Sequence, residues 1–569
     1  MQIAVGQLEI VTGNLQANLE NIANLIKEAK EESIDLLVLP ELALGGLLLG
    51  DVWRQRAFIA DYQAAQRQIA ALAGDLTVIF AGLAQGDGPD LICCFAANNG
   101  NLQPLLAPLG KSPIPGAYEA FDPGLRHALN RVQIKGREYK IACILGDWQE
   151  LPAMNEKPDL LLNLGHWPIR LGQELPALPQ DIPCLRLNAF GLQNTGRNIY
   201  IFPGEAVYSS PRMDFCSPFF TPGLHIVRES KVAWPRDMAL LHQASVFAIR
   251  SFAKLIGLNK AVIGLSGGID SALAACLYAE ALGKDNVLLI NMPSRYNSTV
   301  TKDLAARLAA DLGCNYAIMP IEESLLGTVR QLTDTPINGS DGQWYLTLDA
   351  HIEENIQARD RSARVLAGVA ASWQAFFTCN ANKTELISGY GTFYGDLAGA
   401  LAIMADLWKY QVYQLSEYLS DNSSLNTAVL KEIIKLRPSA ELSELQAIEL
   451  GRGDPFVYPY HDRLFAAWAE SDAAPEDLLR WYQEERLEEM LGCRPKLVAE
   501  IFPKAEDFIS DLEYWWKLYS GIAMAKRIQG VPYLVFSQKP LGERNRESQL
   551  TPYFTTAYQS LKRSLIERE

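Results

Sequence analysis

The chain has 569 residues, 49% of them hydrophobic, and a formal net charge of −15. That length exceeds what one hydrophobic core organises, so two or three domains are expected. The acidic balance argues against a broad nucleic-acid face or an anionic-membrane surface, while leaving room for a local basic pocket.

Nine cysteines without a paired Cys-x-x-Cys spacing read as reduced thiols of a cytoplasmic protein, and the six histidines form no zinc-like pair. The opening MQIAVGQLEIV alternates as a strand does and lacks the basic flank of a signal peptide. The longest apolar stretches are broken by charges or carry helical periodicity, so no membrane span is expected.

In chain order, residues 1–10 predict a strand, 14–32 an amphipathic helix, and 35–40 a buried strand that ends at the carboxylate of Glu41. A helix near 61–73 and strands at 76–83 and 90–97 continue an α/β pattern. Lys111 then opens Lys-Ser-Pro-Ile-Pro, with Tyr118 following; YKIACILGDW covers 139–148, and a strand-like run at 158–163 leads to Gly165-His166-Trp167. In this order the segments resemble the nitrilase superfamily as fused to glutamine-dependent NAD synthetases, over roughly residues 1–230. The resemblance implies a four-layer α-β-β-α sandwich with a Glu base, a Lys for the oxyanion and a Cys nucleophile at a strand-to-helix elbow. Glu41 and Lys111 match the first two.

The third departs from the pattern. Where that family carries Cys-Glu-Asp, this chain has Leu145-Gly146-Asp147, and leucine cannot form the thioester that glutamine hydrolysis requires. Cys143 points to the same face but lies roughly 6–7 Å down the strand, outside near-attack geometry. Glu41 and Lys111 are then expected as a remnant ion pair. The Pro-rich stretch 208–220 reads as a compressed loop, and 221–237 as the connection to a second domain over 238–569.

The second domain turns on AVIGLSGGIDSALAACLYAEALG at 261–283: strand, glycine loop, helix. It lacks both the Walker lysine and the G-x-G-x-x-G spacing. An anion there must be met by backbone N–H groups, the Ser266 and Ser271 hydroxyls, and a cation that Asp270 helps to hold. Further strands at 286–292 and 315–321 flank a helix at 300–312, which predicts a doubly wound parallel sheet with ligands beyond its carboxyl ends.

The loop Ser266-Gly267-Gly268-Ile269-Asp270-Ser271 resembles the pyrophosphate loop of the ATP pyrophosphatases. Glu354-Asn355-Ile356-Gln357-Ala358-Arg359-Asp360-Arg361, Asn382-Lys383-Thr384-Glu385, the GYGTFYGD run at 389–396, Asp406-Leu407-Trp408-Lys409 and Pro438-Ser439-Ala440-Glu441-Leu442 resemble motifs of NAD synthetases, from about 238 to the end of the sequence. What this implies is amidation of nicotinic acid adenine dinucleotide (deamido-NAD) by ATP, through an acyl adenylate. By that likeness Asp270 and Glu385 match magnesium ligands and Lys409 a lysine near the reacting phosphate. Ser294 and Asn380 join the loop in holding ATP, and Arg359, Asn382, Lys383, Asp396 and Lys526 hold the dinucleotide. Asn380 stands where the family has Thr, and Ile448 where it has an acid.

Four readings stay open on these residues: an ammonia-fed synthetase, a glutamine-dependent one rescued by Cys143 or a shifted register, a non-catalytic nucleotide-binding paralogue, and adenylation of some other carboxylic acid by the same loop. The resemblance also implies a homo-oligomer, at least a dimer.

Overall fold

A computed structural model describes residues 1–84, 91–107, 109, 111–112, 114–118, 129–147, 156–230, 232–443, 446, 453–542 and 551–567. Met1–Leu240 and Leu241–Glu569 form two compact units. Among the described residues no helix is long and apolar enough to cross a membrane.

The first unit is built on two six-stranded sheets. The strand Ile3–Gln7 is wholly buried, and the helix Leu15–Glu31 begins where the Asn14 side chain accepts from the Ala17 N–H (3.1 Å). Ile22, Leu25, Ile26 and Ala29 recur at helical spacing and form its buried face. This helix and Arg56–Ala73 cover the outside of the first sheet; the described residues place no helix outside the second. Ile3–Gln7, Leu36–Val38 and Thr77–Ala84 run parallel in the first sheet, as Arg137–Leu145, Leu160–Gly165 and Cys184–Asn188 do in the second.

Two stretches differ from their sequence expectation. The Pro-rich run contains an antiparallel pair, Ala206–Ser209 with Asp214–Cys216, that extends the second sheet. Gly223–Ile226, expected in the connector, pairs antiparallel with Ile3–Gln7 and so belongs to the first unit's core sheet. Each is recruited by the exposed hydrogen-bonding edge it covers.

In the second unit four parallel strands lie in the order Asn315–Ile318, Val287–Asn291, Ala261–Gly264, Phe376–Phe377. The order in which successive strands are added therefore reverses beside Ala261–Gly264, which opens a crevice at its carboxyl end. The helix Ile269–Leu282 is buried almost throughout, which its Ala-rich sequence permits by letting neighbours approach closely. Ala350–Arg359 continues through a π-helical turn, Asp360–Leu366, into Ala367–Trp373. Such turns insert one residue and often mark functional sites.

Candidate active site

Gly267 has φ +91°, and a Cβ there would stand 2.1 Å from the Thr301 carbonyl oxygen, so only glycine lets the loop pass the helix Thr299–Leu312. Within the loop the Ser266 N–H donates to Ser271 Oγ (3.2 Å), and Ser271 Oγ donates to the Gly268 carbonyl (3.0 Å). The Gly268 N–H donates to Ser266 Oγ (3.2 Å). The first-turn N–H groups of Ile269–Leu282 have no intrahelical acceptor and add the positive end of the helix dipole. A compact nest of donors results, without a lysine of its own.

The loop lines a cavity of about 1470 Å³, counting its open mouth. Across it stand Glu385, Asp396, Lys409, Asn380, Arg361 and Asp454. Lys409 begins the helix Lys409–Asn422, where its N–H donates to Thr384 Oγ1 (3.1 Å) and its Nζ to Asp270 Oδ2 (2.5 Å). Asn382 caps the helix Lys383–Ser388 and its amide donates to Asp270 Oδ1 (3.0 Å) and Glu385 Oε1 (2.9 Å). One amide thus binds both carboxylates and sets them facing each other.

Burial first, and then Asp270, pushes the Glu385 carboxyl well above its ordinary range. Burial also raises Asp454, against the pull of Lys409. For Lys409, burial is outweighed by Asp270, Glu385 and Asp454, which drive its pKa upward. Three carboxyl groups crowd one ammonium, and the resistance of Glu385 and Asp454 to ionisation is what a divalent cation would relieve. No group of three or more His, Cys, Asp or Glu side chains arranged for a metal occurs among the described residues. Two facing carboxylates are nonetheless the usual protein share of a magnesium site that phosphates complete.

On the far wall, Arg361 donates from Nε to the Met292 carbonyl (3.1 Å), and burial lowers its pKa to about 10. Asp396 accepts from the Thr392 N–H (2.6 Å); burial raises its carboxyl. Lys526 donates to the Gly389 carbonyl (2.7 Å) and to that of Gly391, and burial lowers its pKa against the opposing effect of Asp396.

The first unit has its own buried polar centre. Glu41, with no exposed surface, accepts from Tyr118 Oη on both oxygens (2.9 Å each) and pairs with His166 Nδ1 (3.0 Å). Nearby the strand Arg137–Leu145 ends at Gly146, φ +73°, whose Cβ would stand 2.9 Å from Tyr118 Oη and from the Lys111 carbonyl. Lys111 and Asp147 exchange backbone hydrogen bonds (3.1 and 2.7 Å). Leu145 is fully buried at this elbow; Cys143, equally buried, neighbours Cys94, and that neighbour together with burial raises the Cys94 thiol.

The NAD synthase family model matches residues 241–489, and the carbon-nitrogen hydrolase model residues 2–105. The glutamine-dependent NAD(+) synthetase of Acinetobacter baylyi is 26% identical, covering 86% of this chain and 92% of its own. That of Aquifex aeolicus is 25% identical, covering 84% and 91%. A crystal structure of a glutamine-dependent NAD(+) synthetase from Cytophaga hutchinsonii superposes with a TM-score of 0.75 at 16% identity, covering 99% of both chains. The chain resembles glutamine-dependent NAD(+) synthetases along most of its length. The Acinetobacter baumannii member, solved with ADP, shares the fold at a TM-score of 0.63 and 20% identity, covering 97% of this chain and 99% of its own.

Ser266, Gly268, Asp270, Ser271, Asn380, Glu385, Asp396 and Lys409 converge on the cavity. Gly267 shapes the loop from behind. Other expected residues lie elsewhere. Ser294 is buried and donates to Gln357 Oε1 (2.9 Å), and Arg359 is exposed and donates to the Phe393 carbonyl (3.1 Å), while Arg361 enters the cavity. Lys383, expected at the dinucleotide, is fully buried against Asp406 (2.9 Å), Glu470 (2.7 Å) and Ser537 (2.9 Å). Among the described residues Lys111 and Glu41 make no ion pair: Lys111 is exposed, and Tyr118 and His166 occupy Glu41. Ile448 lies outside the described residues. Sequence reasoning missed Asp454, Tyr390 and Arg361 as cavity residues; Arg361 and Tyr390 sat inside quoted motifs, whereas Asp454 carried no motif signal.

Proposed function

We propose that the second unit amidates deamido-NAD to NAD at the expense of ATP, and that the nitrogen is supplied as ammonia. The observation that carries the reading is the cavity in which a lysine-free serine–glycine loop, two facing carboxylates and Lys409 meet. The loop's N–H groups and the Ser266 and Ser271 hydroxyls suit a pyrophosphate leaving group. Asp270 and Glu385 would hold Mg²⁺, which supplies charge neutralisation to the phosphates.

The nicotinate carboxylate oxygen attacks the α-phosphorus as the bond to pyrophosphate breaks. Lys409 stabilises the charge that builds on the phosphoryl oxygens. Ammonia nitrogen then attacks the acyl carbon, the carbon–oxygen bond to AMP breaks, and a proton is lost. Asp396, Arg361 and Lys526 line or border the far wall, where they suit the dinucleotide's polar groups.

The elbow supports ammonia over glutamine as the nitrogen source. Leu145 has no nucleophilic atom, Glu41 is committed to Tyr118 and His166, and Cys143 is sealed beside Cys94. The test supplies purified protein with ATP, magnesium and deamido-NAD, plus ammonium or glutamine. NAD and AMP with ammonium alone are expected. Glutamine-driven product abolished by Cys143→Ala would overturn the ammonia reading, and absence of AMP under every condition would overturn the synthetase reading.

A further inference from the structure

Lys409 reaches into the cavity with its hydrogen bond to Asp270 (2.5 Å), and its Nζ lies 5.5 Å from the centroid of the Tyr458 ring. The Tyr458 hydroxyl donates to Asp454 Oδ2 (2.7 Å). Asp454 Oδ1 also accepts from Tyr390 Oη (3.3 Å) and from the Ala440 N–H (3.1 Å), and the Asp454 N–H donates to the Pro438 carbonyl (3.0 Å). One carboxylate thus ties together the start of the helix Tyr458–Glu470, the turn after Lys383–Ser388 and the Pro438–Leu442 wall. The approach is close: a Cβ on Gly453 would stand 2.5 Å from the Pro438 carbonyl oxygen.

We propose that Asp454 is a positioning residue for Lys409, acting through Tyr458. The inference rests on the synthetase reading above. In that reading Asp270 turns to the metal and phosphates, so the ammonium gives up its hydrogen-bonded partner when substrate arrives. What then keeps it aimed is the aromatic face beneath it, an attraction that depends on where the ring stands. Asp454 fixes that ring by its hydroxyl and adds negative charge to the ammonium's surroundings. The charged and titratable groups around Lys409 are Asp270, Glu385, Asp454, Asp462, Tyr413 and Tyr458. Of these, Asp454 is the carboxylate that grips Tyr458.

The test measures steady-state AMP formation with ammonium for wild type, Asp454→Ala, Asp454→Asn, Tyr458→Phe and the Asp454→Ala/Tyr458→Phe pair. Misplacing a charged group by a fraction of an ångström lowers kcat rather than substrate affinity. Asp454→Ala is expected to lose about 30-fold in kcat with less than about threefold change in the ATP KM, and Tyr458→Phe about tenfold. Asp454→Asn keeps an acceptor for the hydroxyl and is expected to recover part of the loss. The pair is expected to match Asp454→Ala within about threefold, because both changes act on one path. Multiplicative losses in the pair, or a loss confined to KM or thermal stability, would overturn the role. If Asp454→Ala does not fold, Tyr458→Phe with an unchanged kcat overturns it instead. Wild type forming no AMP sinks the synthetase reading and the role together, whereas AMP from wild type with full kcat in the variants sinks only the role.

Discussion

Replacing Gly267 by alanine addresses the loop at its tightest point. The new Cβ would meet the Thr301 carbonyl oxygen at 2.1 Å, against about 3.4 Å for ordinary contact, so loop or helix must give way by about 1.3 Å. The backbone there, at φ +91°, lies where alanine is disfavoured by roughly 1–2 kcal/mol before any clash is counted. Together these place the destabilisation at about 3 kcal/mol, and a shift of ~1 Å in a phosphate nest costs about 100-fold in turnover. Gly268→Ala is the control: φ is −86° and its Cβ would find Ser266 Oγ at 3.4 Å, an ordinary contact. The assay pairs thermal unfolding with ammonium-dependent AMP release. Gly267→Ala should melt roughly 5–10 °C lower and lose about two orders of magnitude in kcat/KM, whereas Gly268→Ala, whose methyl would face the cavity, should melt within about 2 °C of wild type. Equal behaviour of the two variants would refute the reasoning, since their chemistry is the same and only the local geometry differs.

Asp270→Asn and Glu385→Gln should each cost about 100-fold or more in magnesium-dependent AMP formation, and raised magnesium should recover part of the activity of the weaker binder; a rate within about threefold of wild type would remove them as metal holders. Lys383→Met should destabilise by about 3–5 kcal/mol in urea unfolding, because it strands the buried Asp406 carboxylate, whereas a stable variant with a raised deamido-NAD KM would return Lys383 to the substrate. Glu205 is buried in the first unit, and desolvation raises its pKa to about 7, against the counteracting pull of Arg186. The folded protein therefore holds a proton that the unfolded chain releases above pH 4.5, so this group's contribution favours folding at low pH, weakens as pH rises from 4.5 to 7, and levels off above 7. The change is on the order of 3 kcal/mol, and Glu205→Gln should flatten it in unfolding measured across that range.

Much of the architecture could be read from residue patterns. Helical spacing announced Leu15–Glu31, apolar runs announced Leu160–Gly165 and Ala261–Gly264, and the strand–glycine–helix order located the cavity. Gly223–Ile226 was not readable, because its pairing is dictated by an edge more than two hundred residues away and not by its own alternation. Side-chain direction was less legible than position. Lys383 and Lys409 both sit in matched motifs, yet the first lies within its helix's packed face and the second begins a helix at the cavity wall. Asp454 was invisible for a different reason: besides its near neighbour Tyr458, its donors are Tyr390 and the Ala440 N–H, which the fold brings to it from other segments.

The widened turn at Asp360–Leu366 has an evolutionary corollary. Loss of a single residue there would rewind the rod by about 100°, carrying one guanidinium out of the chamber and swinging others toward it. The shape of this wall is thus set partly by the count of amino acids and not only by their kinds. A one-codon deletion would reach further than a substitution at any one of those positions.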